Sequence, residues 1–86
     1  MNPSWPDALY GLTLVSIKLK QPVDAIKYIE KAYSIKGEDS ADHIKYALAL
    51  SYRANDEWDK AMKAYRPIMK NETTILKYRD MISLKN

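Results

Sequence analysis

His43 is the single histidine of the chain, and it follows three acids, two of them aspartates, in the stretch "EDSADH", residues 38–43. A histidine beside Asp39 and Asp42 could act as a general base. That work needs a nucleophile or a bound proton donor within hydrogen-bond reach. The chain has no cysteine, and no serine of the elbow type stands near. His43 therefore reads as a surface or rim residue. The acids of the same stretch could face a cation, but no metal-ligand spacing is present, and they read first as a helix cap and a solvated turn. With two glycines in all, no phosphate-cradling glycine loop exists. Lys27, Lys31, Lys36, Lys60 and Lys63, with Tyr33 among them, are the residues that could make a nucleic-acid strip. Their spacing of three to five is that of the solvated side of an amphipathic helix. No enzyme, cofactor or metal is expected, and nucleic acid is the minor reading of the lysines.

The residues that remain must work by presenting a surface, so the elements that carry them decide the matter. The 86 residues suffice for one domain with a modest core. An apolar fraction of 47%, with 29% charged residues, suits a folded chain with a charged exterior. The net charge of +3 is spread out, with no run of five or six basic residues. The longest apolar-rich stretch, "ALYGLTLVSI", is far too short to span a bilayer. It lacks a basic leader and cleavage site, so neither a membrane span nor a signal peptide is expected. The lack of cysteine fits a reducing, cytoplasmic setting. Seven tyrosines and no phenylalanine imply aromatic rings at the edge of the core or on a binding face, where the hydroxyl finds a partner or water.

Five helices and no strand are expected. The first spans about 6–20, with Ser4 as its cap and apolar residues around most of its circumference; a helix of that kind is normally buried on more than one side. The second spans about 22–36, starting at Pro22 and stopped by Gly37. The third spans about 41–54, capped by Ser40. The fourth spans about 57–70, with a kink or early weakening at Pro67. The fifth spans about 74–84. The short connections make sequential helices antiparallel.

A repeat runs through these helices. Aligning Ala25 of "PVDAIKYIEKA" with Ala61 of "WDKAMKAYRPI" sets a spacing of 36 residues. Ile29 then falls on Tyr65, Ala32 on Ile68, Leu12 on Leu48 and Thr13 on Ala49. Small residues at such positions let two helices cross closely, Ala25 against Thr13 and Ala61 against Ala49. Larger neighbours, Leu12 with Ile29 and Leu48 with Tyr65, fill the space around each crossing. Ala32 lets the next pair approach.

This pattern resembles the tetratricopeptide repeat, a helix–turn–helix unit of about 34 residues. "LALSYRANDEWDKAMKAY" carries the resemblance best, through Leu48-Ala49, Tyr52, Trp58, Ala61 and Tyr65. The first copy keeps Leu12-Thr13, Ala25, Ile29 and Ala32, and the two extra residues fit in "GEDSA". The departures are Lys20 and Asp56 for the turn glycine, Pro22 for an aromatic, Gly37 for proline, and Ile68 for alanine, preceded by Pro67.

The resemblance implies an all-α fold of antiparallel helix–turn–helix repeats stacked as a right-handed solenoid, one domain over 1–86. Repeat one spans about 6–37, repeat two about 40–71, and a cap or third first helix about 74–84. It also implies a concave face lined by the first helix of each pair. Its residues here are Asp7, Tyr10, Leu14, Ile17 and Lys18, then His43, Tyr46, Leu50 and Arg53. That face suits a helical or extended segment of another protein, although such an apolar stripe can equally be covered core. The lysine and asparagine stations by which some members hold carboxylate tails are Tyr10, Leu14 and Leu50 here, which disfavours that activity. The apolar excess of the first helix also fits a structural segment of a longer array, or self-association.

Overall fold

The computed structural model describes residues 6–69. Among them are four α-helices: α1 (Pro6–Lys18), α2 (Pro22–Lys36), α3 (Asp42–Ala54) and α4 (Trp58–Tyr65). Two 3-10 turns, Gly37–Asp39 and Arg66–Ile68, follow α2 and α4, and no strand occurs among the described residues. The expectation of five helices is thus corrected to four here. The fifth, about 74–84, and the Ser4 cap lie outside the described residues.

The helices form two hairpins, α1 with α2 and α3 with α4, and α3 also packs against both helices of the first hairpin. The two hairpin turns are built alike. Lys20 donates its N–H to the Ile17 carbonyl, and Gln21 to that of Ser16. Asp56 donates to Arg53, and Glu57 to Tyr52. Each is a paired helix-end motif that needs a left-handed residue after the helix. Lys20 has φ 59° and Asp56 φ 60°, the two non-glycine residues with positive φ among those described. The residues that depart from the repeat's turn glycine thus adopt the glycine conformation anyway.

Packing follows the same 36-residue register. Ala25 and Ala61 are fully buried, as are Thr13 and Ala49, Ile29 and Tyr65, and Ala32 and Ile68. In the second hairpin the small residues Ala49 and Ala61 share one apolar cluster, and in the first Thr13 and Ala25 are both sealed from solvent. Leu9, Ile29, Ala32, Ile44, Ala47 and Leu48 make one apolar cluster that joins the hairpins. Ala49, Ala61, Tyr65 and Ile68 make a second inside the α3–α4 hairpin. Burial of a side chain the size of Ile29 or Leu48 contributes about 1.5–3 kcal/mol. The hydroxyls of Thr13 and Ser51 reach such apolar surroundings because each donates to the carbonyl four residues back, Leu9 and Ala47, at 2.7 and 2.8 Å.

Four expectations are corrected. Leu12 does not fill the crossing of the first hairpin: it is 43% exposed, whereas its counterpart Leu48 is 6% exposed. Leu48 is covered by the hairpin ahead of it, and among the described residues no hairpin stands ahead of Leu12. The first helix ends at Lys18, and it is not buried around most of its girth, since Val15 and Leu19 are exposed with Leu12. The cap of α3 is Ala41, not Ser40. Ser40 is buried one residue earlier, and its hydroxyl donates to the Tyr33 carbonyl at 3.5 Å, tying down the end of α2. Finally, α4 stops at Tyr65, and the chain tightens into a 3-10 turn around Pro67. A ring without an N–H cannot continue the α-helical ladder. Gly37 ends α2 as expected, with φ 56° and its N–H given to Tyr33.

Candidate functional site

The nine residues expected on the concave face lie on two neighbouring helices, α1 and α3, which pack together. Helical spacing puts Tyr10, Leu14 and Ile17 on one side of α1, and Tyr46, Leu50 and Arg53 on one side of α3. All six are half-buried, while Asp7, Lys18 and His43 are exposed. The stripe is therefore neither sealed core nor free surface.

Three of the nine gather where the first turns of α1 and α3 lie side by side. The His43 ring stands edge-on to Tyr10, centroids 4.9 Å apart and planes at 80°. Asp7 Oδ1 is 3.9 Å from His43 Nε2, an exposed pair that carries charge on both sides when the imidazole is protonated. At that distance and exposure it contributes little to stability. The sequence reading set His43 beside Asp39 and Asp42. The register holds a better signal, because Asp7 and His43 are 36 residues apart and so occupy the same station of adjacent units.

The lower half of the face is tied to α4. Tyr46 packs edge-on against Tyr65, with centroids 6.3 Å apart, and Tyr46 and Leu50 both border the second apolar cluster. Arg53 is not simply a charge at the rim. Its guanidinium lies over the Trp58 ring, 5.9 Å from the centroid, and its Nε is buried without a hydrogen-bond partner among the described residues. Leu14, Ile17 and Lys18 complete the α1 side.

The lysines that could have made a nucleic-acid strip lie on α2 and α4. Lys27, Lys31, Lys36, Lys60 and Lys63 are all exposed. Lys60 pairs with Glu57 at 3.0 Å and lies 5.8 Å from the Tyr52 ring centroid. Glu57 also accepts from the Asn55 amide at 3.0 Å. The Asn55 bond, followed by Lys60, pulls its carboxyl below the ordinary glutamate value. Tyr52 donates its hydroxyl to Glu30 at 2.5 Å, joining α3 to α2. Partial burial, and then the bond and charge of Glu30, push its phenol above its ordinary value of 10.0. The sequence reading used Tyr52 only as an aromatic of the repeat pattern and did not find this bond, since its partner is 22 residues away on another helix.

Among the described residues no three acids or histidines converge as a metal-binding set, and no helix is long and apolar enough to cross a membrane. Comparison with protein-family models, with curated proteins and with solved structures yields no match.

Proposed function

We propose that the chain is a tetratricopeptide-like binding module whose α1–α3 face takes a helical or extended segment of another protein. The observation that carries this reading is the register. Eight positions related by 36 residues share the same burial, and the two hairpin turns share the same hydrogen bonds. Repetition of that kind favours stacked hairpins in a solenoid, with first helices side by side on a common face. The half-buried Tyr10, Leu14, Ile17, Tyr46 and Leu50 offer apolar anchors there. Asp7, Lys18 and His43 supply exposed polar groups at the margin, which govern partner choice and on-rate more than affinity. In this reading the chain is a binding module and carries out no catalysis.

The test is a selection of amphipathic helical peptides against the chain, followed by mapping of the bound peptide by amide chemical shifts. Shifts centred on α1 and α3, with about tenfold weaker binding by Leu14→Ala, support the reading. Peptides that map elsewhere, or that bind Leu14→Ala equally well, contradict it.

A second reading is favoured by one observation. Leu12, Val15 and Leu19 recur on one side of α1, all exposed, and Val23 at the start of α2 is exposed too. Leu12 occupies the station that the preceding hairpin covers at Leu48. This side suits a further repeat or a second copy of the chain, so the module would then be a structural segment of an array.

A further inference from the structure

Lys45 stands where the register calls for a core residue. Its counterpart is Leu9, and the two are 6% and 2% exposed. The stem of Lys45 is packed away while its charged head stays in water, as a long lysine side chain allows. The ammonium is not among the buried atoms that lack a partner, so it opens to solvent, and it has no ion pair and no hydrogen bond with any described residue.

Lys45 lines a cavity of about 380 Å³ bounded by α2, α3 and α4. That is within the range of small-ligand pockets, roughly 300–1,000 Å³. Lys60 and Lys63 reach the same space from α4. Lys60 is held by Glu57, so Lys45 and Lys63 are the cations without a partner among the described residues. Tyr33 and Tyr52 give the cavity aromatic walls, and Leu48 and Pro67 add apolar surface. One acid, Glu38, is part of the lining and pairs with neither lysine.

We propose that this cavity binds an organic phosphate, a phosphomonoester on a small flat body. Two unpaired ammonium groups match the charge of about −2 that a phosphomonoester carries near neutral pH, and its oxygens accept their hydrogen bonds. The tyrosine rings take the flat body. Glu38 repels the phosphate and so confines it to the lysine side. None of these residues belongs to the α1–α3 face, so the inference stands independently of the peptide-binding reading.

The test titrates the whole chain with phenyl phosphate and follows amide shifts. Saturable shifts confined to the cavity are expected, with inorganic phosphate and phenol each binding about tenfold more weakly. Lys45→Met, which keeps an apolar stem in place, should weaken phenyl phosphate about tenfold, and Lys45→Arg should recover most of the loss. Lys63→Met, at an exposed position, should weaken it several-fold and decides the matter if Lys45→Met does not fold. Lys27→Met, exposed on α2 and outside the cavity lining, should leave phenyl phosphate binding unchanged. A phosphotyrosine peptide forms the other arm: tighter binding than phenyl phosphate points to a modified protein side chain, weaker binding to a free metabolite, and either upholds the shared chemistry. Shifts that never saturate, inorganic phosphate binding as tightly as phenyl phosphate, or full affinity in both methionine variants would overturn the proposal.

Discussion

Lys20 pays a conformational penalty that the rest of the hairpin turn absorbs. A side chain in the left-handed region costs about 1–2 kcal/mol, while glycine there sacrifices only its extra freedom in the unfolded chain, about 0.5–1 kcal/mol. Lys20→Gly should therefore stabilise the chain by about 0.5–1 kcal/mol in urea unfolding, with helix content unchanged. Asp56→Gly should gain less, since aspartate tolerates this conformation better. A loss of stability in Lys20→Gly would show that the lysine side chain makes up for its strain. The position was legible in the sequence because the repeat pattern expects glycine there, and the backbone obeys the pattern even though the residue does not. The small residues were legible for the same reason: alanine at 25 and 61, amid longer side chains, has no better use than a close crossing. Lys45 was not legible, because a lysine between Ile44 and Tyr46 looks like any solvated residue until its counterpart Leu9 is found buried.

At the scale of elements, Tyr52 and Glu30 tie α3 to α2 through one hydrogen bond. The fold raises the Tyr52 phenol above 10.0, so it favours the protonated ring. The stability this confers is fully present below pH 10 and is lost as the pH rises through the higher folded value. Tyr52→Phe should cost about 1 kcal/mol or less at pH 7. The gap between the two proteins should close as thermal melts are repeated from pH 10 upward, and parallel curves would contradict the assignment. Helix existence was readable from periodicity and from Pro22, Gly37 and Pro67. Where each helix stops was less so. Pro67 was expected to kink or weaken the fourth helix, but periodicity could not say that the α-helix would give way two residues earlier. The position of the Ser40 cap was lost for a similar reason, since Ser40 serves Tyr33 on the preceding helix and not the helix that follows.

At the scale of the whole molecule, the packing of one hairpin on the next explains the mismatch at the Leu12 and Leu48 station of the register. Leu12 and Leu48 are the same residue at the same station, yet one is 43% and the other 6% exposed. Local sequence cannot tell them apart; what differs is whether a hairpin precedes. The nine residues lie on two helices that pack together, but the links of Tyr46 to Tyr65 and of Arg53 to Trp58 depend on long-range packing that periodicity does not specify. If stability is a sum of unit and neighbour terms, a further unit must help. Because Pro6 and Asp42 are 36 residues apart, a second copy of residues 6–41 can be placed directly before Pro6 in the same register as the natural junction of Ala41 with Asp42. The decisive measurement is the thermal unfolding of that extended chain beside the original. The account predicts a single cooperative transition with Tm raised by about 10 °C or more, and strong hydrogen-exchange protection around the newly covered Leu12. An unchanged or lower Tm, with Leu12 still exposed, would contradict it.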